Sequence, residues 1–194
     1  MAYPTVSAPY GLQPINLIGG QVFAGSTRLI PIASGSTTAI YYGDVVRLNT
    51  AGSLSKVSTT TTATDAVGVF LGCQFTNATT KQPLQQQYYP GGVVASDIQA
   101  YVQDDYDQLY KVAVVSGTTV IDGLTQAAVG QNVSLVQNAG STITGDSKVA
   151  VLNSTGTGTT LPFRVIAGVP ETVNASGSYT EVIVKFNFGV HTYT

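Results

Sequence analysis

Apolar residues along this chain come in short runs, and where they are patterned they alternate. Ile98, Ala100 and Val102 alternate with polar neighbours. On 108–115 Leu109, Lys111, Ala113 and Val115 fall on one face and Tyr110, Val112 and Val114 on the other. A period of two is that of a β-strand with two different faces. The two segments, joined by Asp104-Asp105-Tyr106-Asp107, read as the clearest hairpin in the chain. The run 66–75 (AVGVFLGCQF) does not alternate, and predicts a core strand apolar on both faces.

Further strands are predicted over 14–23, broken at Gly19-Gly20, and over 27–32, which Pro31 places at an edge or bulge. Others follow over 39–48, 54–57, 132–136, 148–152, 161–169 and 180–188. Gly43-Asp44 interrupts the run 39–48 and predicts a bend or bulge at a barrel corner. Residues 49–53 form a turn, 58–64 and 76–87 loops, and 124–129 one short helical turn. Tyr88-Tyr89-Pro90-Gly91-Gly92 reads as a strand end followed by a turn. No fixed-period repeat appears, which argues against a solenoid.

Composition narrows the class. Only 9% of residues are charged, against the roughly 25% of an average soluble protein. Solvent-facing helices normally carry Lys, Glu and Arg, and few are available. The 43% hydrophobic fraction suffices for a core, while 21 glycines and 8 prolines supply turns. The expected fold is all-β: a single β-rich domain over 14–194 with at most one short helix, preceded by an extended N-terminal arm over 1–13. That arm carries Pro4 and Pro9 among Tyr3 and Tyr10, a mixture suited to lying extended on another surface.

A net charge of −2 gives no electrostatic footprint for nucleic acid, and no basic run is present to hold a membrane surface. No signal peptide is visible and no apolar run approaches the ~20 residues of a membrane span, so synthesis in a host cytoplasm is expected. The single Cys73 cannot form an intrachain disulfide. The Asn-x-Ser/Thr triplets at Asn77, Asn132, Asn153 and Asn174 are read as chance in a Ser/Thr-rich chain.

No candidate chemistry survives inspection. Residues 20–27 have the glycine spacing of a phosphate-binding loop, but Ser26 stands where the lysine should and a strand follows where a helix should start. Asp104, Asp105 and Asp107 lack the alternating ligands, Gly and terminal Glu of a calcium loop, and one turn cannot hold two carboxylates across a cleft. They read as a solvated turn. His191, the sole histidine, sits near the last residue, and Cys73 in an apolar strand reads as a small core residue. Tyr41, Tyr42, Tyr88 and Tyr89 could stack sugars or bases, but read more naturally as core or interface. No catalytic residue, cofactor or metal is assigned, and no enzymatic activity is expected.

Several stretches, taken in order, resemble capsid decoration (cement) proteins of tailed bacteriophages. They are Tyr10-Gly-Leu-Gln-Pro-Ile-Asn-Leu-Ile-Gly-Gly20, Ala24-Gly-Ser-Thr-Arg-Leu-Ile-Pro-Ile-Ala-Ser34 and Ile40-Tyr-Tyr-Gly-Asp-Val-Val-Arg-Leu48. Gly68-Val-Phe-Leu-Gly-Cys73, Ser96-Asp-Ile-Gln-Ala-Tyr-Val-Gln-Asp-Asp105 and Glu181-Val-Ile-Val-Lys-Phe-Asn-Phe-Gly-Val-His191 continue the likeness. Tyr106 stands where the family pattern has a proline, which touches only the turn geometry.

The resemblance implies a single β-barrel or β-sandwich core of β-tulip type, in a virion structural protein on the outer surface of an icosahedral head. Its partners would be the major capsid protein, whose subunits it bridges in the expanded capsid, and itself, as a homo-oligomer and most simply a trimer. The arm residues Tyr3, Pro4, Tyr10, Leu12 and Pro14 are the expected capsid contacts. Tyr88, Tyr89, His191 and Tyr193 are the expected oligomer interface. The alternative is a head-fibre or tail adhesin module that recognises host-surface glycans. That role would require clustered aromatic and acidic side chains, and the tyrosines are scattered along the sequence.

Overall fold

The computed structural model describes residues 6–58 and 65–187. The protein is all-β. Strands β1 (Gln13–Leu17), β2 (Arg28–Pro31), β3 (Val45–Leu48), β4 (Leu54–Lys56), β5 (Ala66–Thr76) and β6 (Pro83–Gln86) come first. Then follow β7 (Gln99–Gln103), β8 (Gln108–Val115), β9 (Asn132–Val136), β10 (Ala150–Gly156), β11 (Phe163–Gly168) and β12 (Glu181–Phe186). The expected helical turn is a single 3₁₀ turn, Gln126–Ala128, and a second covers Pro170–Thr172.

The strands divide into two groups. Strands β8, β10, β9, β11 and β12 form a closed barrel, because β12 pairs back onto β8. Strand β1 adds to the far end of β8. The second sheet runs β2-β7-β5-β3-β4, with β6 paired to the outer half of β5. A single parallel bridge, Ile32 to Leu54, brings its two ends together and curls it around its own core.

The barrel is filled by valines at alternate positions, with Tyr110, Phe163 and Phe186 packed as an aromatic group. Inward Tyr110, Val112 and Val114 are the face of 108–115 that the alternation separates. The second sheet encloses Ile30, Ile40, Phe70, Phe75, Tyr89, Ile98 and their neighbours. Strand β5 serves both cores: Phe70 and Cys73 belong to the second, while Ala66 and Val69 join the barrel cluster. That is why the run 66–75 shows no alternation. Register shifts on β5 let one strand turn two faces to two cores.

Three expectations need correction. Segments 99–103 and 108–115 do not pair with each other: β7 pairs with β2 and β5, and β8 with β1, β10 and β12. The four residues between them cross from the second sheet to the barrel. Buried Gln103 and Gln108 span this crossover, with Gln103 Nε2 donating to Gln108 Oε1 at 3.2 Å. The expected loop 76–87 contains β6, held to β5 by backbone bonds that its polar residues do not advertise. And the arm does not extend to residue 13. Pro9, Gly11 and Leu12 are buried, Gly11 N–H donates to Val149 O and Leu12 N–H to Gly43 O. The loop expected over 58–64 lies largely outside the described residues.

Candidate functional site

Two places concentrate interactions beyond simple packing. One is the seam between barrel and second sheet, where the N-terminal segment crosses. Gly11 and Gly43 both have left-handed φ, +87°, and sit backbone to backbone. A Cβ on Gly11 would lie 2.8 Å from Ser147 Cβ, so only glycine permits this approach. Next to it the Asp44 carboxylate is fully buried. It accepts from Lys56 Nζ at 2.9 Å, from Ser147 Oγ at 2.6 Å and from Tyr41 N–H at 2.9 Å. A buried carboxylate is tolerated when its charge is paired and its lone pairs are filled, and both conditions hold. Asp44 thereby ties β3, β4 and the segment before β10 into one unit.

On the barrel side of the seam Tyr10 OH donates to Glu181 Oε1. Lys111 Nζ approaches the same oxygen at 3.6 Å and lies 5.7 Å from the Tyr10 ring centre. Burial raises the Tyr10 phenol well above its ordinary range, and the hydrogen bond and charge of Glu181 push the same way. Tyr10 is therefore a clamp that fixes the segment to β12 and β8.

Leu12 is fully buried in the barrel cluster and Pro14 is half-buried in β1 opposite Tyr110. Of the expected capsid contacts, Leu12 is thus a core residue whose side chain is unavailable to a partner, and Tyr3 and Pro4 lie outside the described residues. Tyr89 is likewise fully buried, its hydroxyl donating to Ser36 O at 2.9 Å, and so cannot offer its ring to an oligomer interface. Tyr88 stacks on Tyr41, ring centres 5.5 Å apart and 9° from parallel, and remains half-buried. His191 and Tyr193 lie outside the described residues.

The acidic turn is answered rather than open. Arg28 pairs with Asp104 at 2.7 Å and Lys185 with Asp107 at 2.8 Å, while Asp105 accepts the Asp107 N–H. Lys185 also sits 4.1 Å above the Tyr106 ring. Cys73 is buried, and burial pushes its thiol up to about 11. Among the described residues no group of three or more His, Cys, Asp or Glu converges to hold a metal ion.

The second place is the outer face of the second sheet. Tyr101 OH donates to Gln74 Oε1 at 2.6 Å and accepts from Gln85 Nε2 at 3.3 Å. Gln87 Nε2 donates to Asp146 Oδ1 at 2.6 Å. These side chains come from β5, β6 and the residue after it, β7 and the segment before β10, and sequence reading missed all of them as a group. Only the glutamine-rich stretch 85–87 marks the region in the sequence. Asp44 was marked by the glycine beside it, whereas nothing marks Lys56, Ser147, Lys111 or Glu181.

Comparison with known proteins finds no matching family model, no similar curated protein and no similar solved structure.

Proposed function

We propose that this protein is a tailed-phage head decoration protein, which binds the outer surface of the expanded capsid, bridges major capsid protein subunits and acts by linkage rather than catalysis. The observation that carries the reading is where the resembling stretches meet. Tyr10 of the first contacts Glu181 of the last. Leu12 bonds Gly43 of the Ile40–Leu48 stretch. Gly68 is packed so closely on Gln103, of the Ser96–Asp105 stretch, that a Cβ would fall 2.1 Å from its carbonyl oxygen. Five of the six stretches, far apart in sequence, are thus in pairwise contact in the folded chain, and the reading rests on their order along it.

In this reading the body is a rigid platform and residues 1–8 are its capsid-binding segment, clamped at its base by Pro9–Pro14. A ligand of the expanded lattice stabilises it by mass action, by about 2.7 kcal/mol per site when free protein stands 100-fold above its dissociation constant. An oligomer, such as a trimer, adds effective concentration.

The test is co-sedimentation of purified protein with expanded heads stripped of it. Deletion of residues 1–8 is the informative variant, because deletion through Gln13 would also remove Leu12 from the core. Retained thermal stability with head binding weakened about tenfold or more is the expected result. Undiminished binding by the truncated chain would remove the segment from the mechanism, and no binding by the full chain would overturn the reading.

A further inference from the structure

The outer face of the second sheet carries a groove that the capsid reading does not use. Strand β5 forms its floor at Leu71 and Gly72, and its volume is about 540 Å³. Tyr101 of β7, directly opposite Gly72 in register, lines one side. Tyr42, next to the Gly43 whose N–H bonds Phe70 O, lines the other, together with Gln85 and Gln87. The two tyrosines therefore flank β5 on opposite sides, about two strand spacings or ~10 Å apart. Gly72 has φ +146°, and its missing side chain lets the Gln86 carbonyl pack against β5, 3.0 Å from where a Cβ would lie, which draws the Gln85–Gln87 segment in as the wall of the groove. A second depression of about 640 Å³, lined by Phe75, Pro83 and Leu84 together with Gln74, Gln85 and Asp97, shares Gln85 with the groove.

The polar groups are already oriented. The Tyr101 hydroxyl is fixed between Gln74 Oε1 and Gln85 Nε2. Gln74 Nε2 and Gln85 Oε1 have no protein partner among the described residues, so one amide donor and one amide acceptor remain for a ligand. Asp97 is held by Thr76, whose N–H and hydroxyl donate to its carboxylate at 3.1 and 2.6 Å. No Lys or Arg lines either depression.

We propose that this groove binds a neutral oligosaccharide. A sugar chain presents apolar C–H faces, which stack on tyrosine rings, and hydroxyls that both donate and accept, which paired amides and a carboxylate match. Nucleic acid would need cations for its phosphates, and the groove supplies none. A hydrophobic peptide helix would need a continuous apolar trough, whereas Gln85, Gln86 and Gln87 interrupt the apolar lining of this groove. The fold thus assembles from scattered residues the aromatic and polar cluster that glycan recognition requires. The inference is independent of capsid binding, since the free protein carries the whole groove.

The experiment screens the full chain against an array of neutral bacterial and plant oligosaccharides, then titrates positive glycans by saturation-transfer NMR. Without tryptophan in the chain, the 11 tyrosines also report binding through their own resonances. Saturable binding is expected, weakened about tenfold or more in Tyr101→Ala and in Tyr42→Ala, and retained within about threefold in Tyr101→Phe, which keeps the ring. Gln85→Ala, at an exposed position, reads the same groove should a tyrosine variant fail to fold. No binding on the array, binding that survives all of these substitutions, or a preference for single-stranded nucleic acid over every glycan would overturn the proposal. None of those outcomes bears on head binding.

Discussion

The barrel and the second sheet are built from similar strands, yet they close in different ways. The barrel closes through a ladder in which four residues of β12, Glu181–Val184, pair with β8. The second sheet closes through one bridge, Ile32 to Leu54. The fillings differ accordingly. Valines and three mutually packed aromatic rings fill the barrel, with Tyr110 and Phe163 fully buried. The second sheet uses larger, more varied side chains and keeps Phe75 slightly open at its mouth. A fully laddered closure leaves no free strand edges and buries everything inside it, which suits a scaffold. A sheet closed by one bridge retains outward surface, grooves and bulges, which suits recognition.

The sharpest test of this contrast is one truncation in each core. Phe163→Ala is expected to cost about 3–5 kcal/mol, and Phe75→Ala to fall at or below the lower end of that range because its site can relax toward solvent. Urea unfolding followed by circular dichroism measures both. Equal losses would mean that the second sheet is as tightly closed as the barrel.

Next in size is the seam. Asp44→Ala takes the carboxylate from the partly buried Lys56 ammonium, which keeps only Asn138 O at 3.3 Å, and orphans the Tyr41 N–H, at an expected cost of about 2–3 kcal/mol. Because the barrel cluster includes Val45, Ala66 and Val69 of the second sheet, protection from hydrogen exchange is expected to drop in β5 and β8 together. Loosening confined to β5 would divide the molecule into two independent units.

The smallest effect at neutral pH concerns Tyr110. Burial raises its phenol far above the ordinary 10.0, with Asp105 and Asp104 adding to the shift. The folded state holds this proton where the unfolded chain releases it. Stability is therefore complete below pH 10 and declines as pH rises beyond it, by about 1.4 kcal/mol per pH unit for one such group. Tyr110→Phe loses only a 3.4 Å bond to Gln103 O, so its expected cost at pH 7 is under about 1 kcal/mol. Its alkaline unfolding profile is expected to be measurably flatter than that of the parent chain. An unchanged slope above pH 10 would place the titration elsewhere.

How far the sequence could be read depends on which interactions leave a pattern. The boundaries of β9 match the expectation residue for residue, and β5 was legible because burial on both faces abolishes alternation. Pairing was harder. Alternation in 99–103 and 108–115 reports that each strand has two faces, and says nothing of which neighbour completes its ladder. The Asp104–Asp107 link also lacks the Asn-Gly or Asp-Gly signature that enforces a two-residue hairpin. Strand β6 escaped notice because Pro83–Gln86 places only Leu84 against the second core. The Asp44–Lys56–Ser147 group was invisible because its members are 12 and 103 residues apart. The groove was invisible for the same reason: Tyr42 and Tyr101 come to flank one groove only once β7, β5 and β3 lie side by side.

The order of strands along the chain also sets a schedule for folding. Strands β2 to β7 form one sheet from a single continuous segment, and the hairpins β3–β4 and β5–β6 are local. The barrel waits for its last strand, because Val182 must find Val112, and β1 must likewise find β8 across a long stretch of chain. Such distant pairings incur their loop-closure entropy before any contact rewards it, which slows closure toward the millisecond-to-second range. During synthesis the second sheet can therefore be in place while β12 is still unmade. Until then β8 stands unpaired on the side that β12 will take, and that interval is when a newly made chain is most open to joining the wrong neighbour.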